Sequence, residues 1–176
     1  RLLIQLETPL LLGGHPELGA AEDMQIVAGQ HGTLTIEELI ETFGDRVVIF
    51  QMCADPAEGF EEAVNRIQAA AVAAVRAGAE CIVLDDSDIY DGHNLWLDPL
   101  LVTSAVDRAL RLAEYTPNLR RQTGIVVRSG ALRNLHDLAL CISLGANAVA
   151  PYAIYAVSIK AAPRAAKEPL SSAELV

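Results

Sequence analysis

Residues 122–152, QTGIVVRSGALRNLHDLALCISLGANAVAPY, constrain the fold more than any other stretch of the chain. Ile125, Val126 and Val127 form a β-branched run that Ser129-Gly130 breaks. Leu132, Leu135, Leu138, Ala139 and Ile142 then recur at helical spacing. Gly145 can end that helix, and residues 146–150 start a second apolar strand. Strand, turn, helix and strand in this order make a βαβ unit. Such a unit requires a parallel pair and a right-handed crossover.

The same alternation runs upstream. Residues 46–52 (RVVIFQM) read as a buried strand, and Asp55-Pro56 starts a turn. Phe60, Ala63, Val64, Ile67, Ala71, Ala74 and Val75 form one stripe of a long helix, with Gly78 at its end. Residues 81–84 read as the second strand, ending in Asp85-Asp86, and 86–97 as a polar loop. Val102, Ala105, Val106, Ala109, Leu112 and Ala113 mark a second long helix, stopped by Pro117 and Asn118. The order βαβαβαβ predicts the α/β class, a parallel sheet covered by helices. Four strands are half of what a closed eight-stranded barrel needs, so the sheet stays open or the barrel is partial.

Ahead of this core, residues 1–12 are an apolar lead-in broken by Pro9, and 13–32 read as an irregular connection. Residues 35–43 suit a short helix, because Thr35 with Glu38 makes a capping box and Gly44 follows. Pro151 closes the last strand. We expect one domain over 1–159 and a flexible tail over 160–176, where Ala, Pro, Ser and charge dominate.

A formal net charge of −10 argues against nucleic acid and anionic membrane as partners, since both select basic surfaces. No apolar run reaches the ~18 residues of a membrane span. Cys53, Cys81 and Cys141 sit in or beside apolar runs without a CxxC pair, which predicts buried reduced thiols and a cytoplasmic location. The chain starts with Arg, and we read it as part of a longer polypeptide.

Four blocks carry a family resemblance: QLETPLL, AVRAGAECIVLDDSD, DPLLVTSAVDRAL and, most strongly, GIVVRSGALRNLHDLALCISLGANAVAPY. Together they resemble the central domain of the glutamate synthase large subunit over roughly residues 1–157. The departures are Arg128 where the family is usually acidic, His136-Asp137 in place of a His pair, and Asp85-Asp86-Ser87 at the second strand's end. Residues 13–34 match poorly.

The resemblance implies a parent enzyme that makes two glutamates from glutamine and 2-oxoglutarate. It implies an amidotransferase domain on one side and an FMN and iron–sulfur domain on the other, in the same polypeptide. It implies a rudimentary relative of the FMN-binding barrel between them, with no catalytic residue, no cofactor and no metal of its own.

Three local features bear on chemistry. The strand–Arg128-Ser129-Gly130–helix turn is the candidate anion site, because barrel enzymes bind phosphate at such turns. The bland reading is an N-cap by Ser129, with Gly130 easing the turn. Asp85, Asp86 and Asp88 lie at a strand's carboxyl end, where acids can serve catalysis or Mg²⁺, or simply satisfy loop amides. Trp96, between Leu95 and Leu97 on a polar loop, is either an interface anchor or folded back on its own core. His15, His31, His93 and His136 form no pattern, and His136 reads as a packing or interface residue.

Three functions follow as expectations. The first is a structural linker of a glutamate synthase, without turnover as an isolated chain. The second is a free-standing phosphate- or small-ligand-binding half-barrel. The third is an interaction domain that self-associates through surfaces covered in the parent.

Overall fold

The computed structural model describes residues 2–14, 21–113 and 118–165. In chain order the elements are helix α1 (Ala21–Gln30), α2 (Ile36–Phe43), strand β1 (Val47–Gln51), β2 (Cys53–Ala54), α3 (Phe60–Arg76), β3 (Cys81–Asp85), β4 (Leu95–Trp96), α4 (Pro99–Ala113), β5 (Gly124–Arg128), α5 (Leu135–Ser143), β6 (Ala148–Ala150) and α6 (Tyr152–Ala165). The four expected strands pair in parallel in the order β1-β3-β5-β6. Each new strand joins the same edge, so crossovers of one hand stack their helices on one face. This is the winding of a barrel wall left open, as half a barrel.

The two faces follow the strand alternation. Ile82, Leu84, Ile125, Val127 and Val149 pack under α3, α4 and α5, against Ile67, Val102, Val106, Leu110 and Cys141. Cys81, Val83, Val126, Ala148 and Ala150 face the other way and are covered by Leu11 of the lead-in and by Ile36 and Leu39 of α2. A closed barrel would fill that second face with side chains from the missing strands. Here the lead-in and α2 fill it instead.

The caps match their sequence signals. Thr35 and Glu38 form the capping box of α2. Asp98 accepts the N–H groups of Leu100 and Leu101, with Pro99 at the first helical position of α4.

Several expectations are corrected. Residues 46–52 do not form a buried strand: β1 lies at the sheet edge, and Ile49 is 44% exposed. Within 13–32 lies a ten-residue helix, α1, anchored by buried Ala28. Its polar residues and Gly29 hide the apolar period. The loop after β3 contains β4, which pairs antiparallel with β2 as a two-residue ribbon.

Phe60, Leu112 and Leu135 leave the stripes assigned to them and are exposed, while Leu110 is buried in place of Leu112. Ser129 does not cap α5; Asn134 does, through Asp137 N–H, and Leu132 is buried ahead of the helix. Helix α6 follows Pro151 and runs past residue 159 to Ala165; residues 166–176, the rest of the expected tail, lie outside the described residues, as do His15 and Pro117.

Candidate functional site

The carboxyl ends of β3, β5 and β6 meet at a buried polar cluster. Asp85 ends β3 and Asp86 follows it, and both are 3% exposed. Register places Asp85 beside Arg128 of β5, which in turn lies beside Ala150 of β6. The adjacent carboxylates of Asp85 and Asp86 meet different partners.

Asp86 is held by donors from two other elements. Ser129 Oγ–H donates to Oδ2 at 2.5 Å, Gly130 N–H to Oδ1 at 3.0 Å, and Tyr152 O–H to Oδ1 at 2.7 Å. Ser129 Oγ also accepts the N–H of Ala131, and Ser129 N–H donates to Ala150 C=O. Asp85 accepts from Ser87 N–H, Ser87 Oγ–H and Arg128 Nη1, at 2.9, 3.0 and 3.0 Å. The other two nitrogens of Arg128 donate to the Gly14 carbonyl, and its guanidinium stacks 5.7 Å from the Tyr152 ring centre. Glu37 of α2 accepts the Gly14 N–H at 2.8 Å. Gly14 has φ +86, and a Cβ there would press on Arg128, Ile36 and Tyr152.

Arg128, Ser129 and Gly130 therefore come together as expected, but they point at the chain's own carboxylates. Asp86 takes the hydroxyl and amide that an incoming anion would use, and Asp85 with Gly14 takes the guanidinium. Ser129 is fully buried, and among the described residues no His lies in the cluster: His31, His93 and His136 are all exposed elsewhere. Asp88 is exposed and outside it. Chemically the arrangement is a lock between sheet, lead-in and α6. Gln51 Oε1 stands next to it, buried and without a hydrogen bond among the described residues. No single sequence signal marked Tyr152 or Gly14 as members, because their partners lie far along the chain.

A second cluster ties the amino ends. Arg120 donates to Asp107 at 2.6 Å and to the carbonyls of Thr123 and Gly145 at 2.8 and 2.6 Å; it also reaches Asn147 Oδ1 at 2.9 Å. Arg111 adds two bonds to Asp107. Burial pushes the Asp107 carboxyl up, but the two guanidinium groups reverse this and hold it below the usual carboxylate range. Gly145 has φ +123, and a Cβ there would lie 2.6 Å from Asp107. A cleft of about 360 Å³ opens near this end, between the lead-in and residues such as Glu80, Thr123 and Asn147. Amino ends of barrel strands carry stability, whereas sites form at the carboxyl ends.

Trp96 is 43% exposed beside exposed Leu95 on the β2–β4 ribbon, while Leu97 is fully buried and anchors it. The Trp is thus half presented to solvent, not folded fully into the core.

The sequence matches the glutamate synthase central domain over residues 3–174. The chain belongs to the glutamate synthase central domain family. Among curated relatives, it is 31% identical over 101 residues to ferredoxin-dependent glutamate synthase 2 of Synechocystis sp., covering 56% of this chain and 6% of that protein. It is 30% identical over 99 residues to the glutamate synthase [NADPH] large chain of Bacillus subtilis, with the same coverage. The match spans only a small part of those relatives' length. Within this central domain, Arg128 is not a spare cation: it pairs with Asp85 and fastens the lead-in. No helix among the described residues is long and apolar enough to cross a membrane.

Proposed function

We propose that this central domain is a structural linker in a glutamate synthase. It holds a glutamine amidotransferase domain and an FMN and iron–sulfur domain of the same polypeptide at fixed distance and orientation. FMN and the cluster are bound outside this chain, and the enzyme works in the cytoplasm. The observation that carries the reading is the lock at the carboxyl ends, where this fold normally binds ligands. Asp86, Arg128, Ser129 and Gly130 are engaged with one another or with the lead-in, so the end serves rigidity. Rigidity matters because ammonia must pass between active sites without escaping to water. The two relatives carry different electron donors in their names yet are similar to this chain to the same degree, which fits a part that does not touch the donor. Leu95 and Trp96 supply an apolar contact for an adjoining domain.

Isothermal titration of the chain with FMN, phosphate and 2-oxoglutarate tests this, and no saturable heat is expected. Saturable binding of FMN or phosphate that Ser129→Pro abolishes, with the fold intact, would replace the linker by a ligand-binding half-barrel.

A further inference from the structure

We propose that the free edge of β1 pairs with the same edge of a second copy of this chain, antiparallel across a two-fold axis centred on Ile49. Among the described residues, β1 has one sheet neighbour, β3. Met52 N–H donates to Asp85 C=O and Glu80 N–H to Arg46 C=O, so the even-numbered residues turn their backbone groups toward β3. By alternation, Val47, Ile49 and Gln51 turn theirs outward. Val47 N–H is already bonded to Gly44 C=O. What remains is Val47 C=O, both groups of Ile49, and both groups of Gln51.

A two-fold axis at Ile49 uses this set economically. The two Ile49 residues exchange a reciprocal pair of bonds, and each Gln51 N–H meets the Val47 C=O of the other copy. That makes four bonds, leaving Gln51 C=O at the solvent end. The two Ile49 side chains fall on the same face and cover each other, which accounts for an exposed Ile in mid-strand. On the opposite face Val48 meets Phe50. Beyond the strand Arg46 faces Met52 and Asp45 faces Cys53, so no like charges oppose.

The edge also lacks the usual protection. Val47–Gln51 contains no charge and no Pro. The far edge is closed: Leu11 N–H bonds to Val149 C=O, Val149 N–H to Pro9 C=O, and Leu12 N–H to Leu34 C=O. Among the described residues the four-stranded sheet has one open edge per copy, which gives a closed dimer and no filament. Two copies of net charge −10 repel, so salt should strengthen the pairing. The contact is small, which points to a Kd on the order of 10–100 µM.

Light scattering over a concentration series tests the proposal with the wild-type chain. The mass should rise from 18.8 kDa toward twice that value, more readily at higher salt. Ile49→Lys should remain monomeric with unchanged circular dichroism, and Ile49→Val should still dimerise. In the wild type, hydrogen exchange at the Ile49 and Gln51 amides should slow as concentration rises. A mass held at 18.8 kDa to about ten times that Kd would overturn the proposal. So would a dimer whose Ile49 and Gln51 amides exchange at a concentration-independent rate.

Discussion

Asp107→Ala should destabilise the chain far more than Arg111→Ala, although both break the same carboxylate cluster. Asp107 and Arg120 have side chains 12% and 13% exposed, and Arg120 bonds Asp107 at 2.6 Å. Removing one member of a buried pair costs about 3–5 kcal/mol, because the other charge stays behind. Arg120 keeps three oxygen acceptors, from Thr123, Gly145 and Asn147. Ala also suits a helix interior better than Asp by about 0.5 kcal/mol. The expected loss is therefore about 2.5 kcal/mol, or a Tm lower by roughly 5–10 °C for a chain of this size.

Arg111 has a side chain 60% exposed, and an i,i+4 surface pair contributes only about 0.5 kcal/mol. Urea unfolding followed by circular dichroism measures both. The Asp107 carboxyl is held below its unfolded value, so its contribution is complete above about pH 4 and fades as pH falls through the folded value. The gap between wild type and Asp107→Ala should close on acidification. Equal losses for the two variants, or a gap that stays constant from neutral pH to acid, would refute the reasoning.

Tyr152→Phe removes one of three donors to buried Asp86, and a loss of about 1–2 kcal/mol is expected in the same urea assay. Gly14→Ala forces a side chain into a left-handed conformation against Arg128 and should cost about 1–2 kcal/mol; faster amide exchange in residues 9–14 would report loosening of the lead-in. Burial pushes the Cys81 thiol up to about 12 and Cys141 up to about 11, so a disulfide reagent at pH 8 should label partly exposed Cys53 first. Cys81 and Cys141 should react only on unfolding, and equal rates in the native chain would contradict their burial.

Much of the architecture was legible because it is written in local periods. The β-branched runs, the 3.6-residue stripe of α3 and the Thr35–Glu38 box each depend on neighbours within a few residues, and each formed. Phe60, Leu112 and Leu135 have the right spacing and are nevertheless exposed. An apolar residue at the right spacing is buried only if another element lies over it.

The order of strands and helices, and with it a parallel α/β sheet, follows from the chain's pattern, since a strand–helix–strand sequence has few ways to pack. Which strand lies at the edge does not. VVIFQ reads alike as a central or an edge strand, and only the lead-in's choice of β6 over β1 decided between them. The same holds for the lock. Asp86 meets Ser129 and Tyr152 across 43 and 66 residues, and Arg128 meets Gly14 across 114. Hydrogen-bond partners that distant are set by where the strand ends converge, which is a property of the folded sheet and has no local signature.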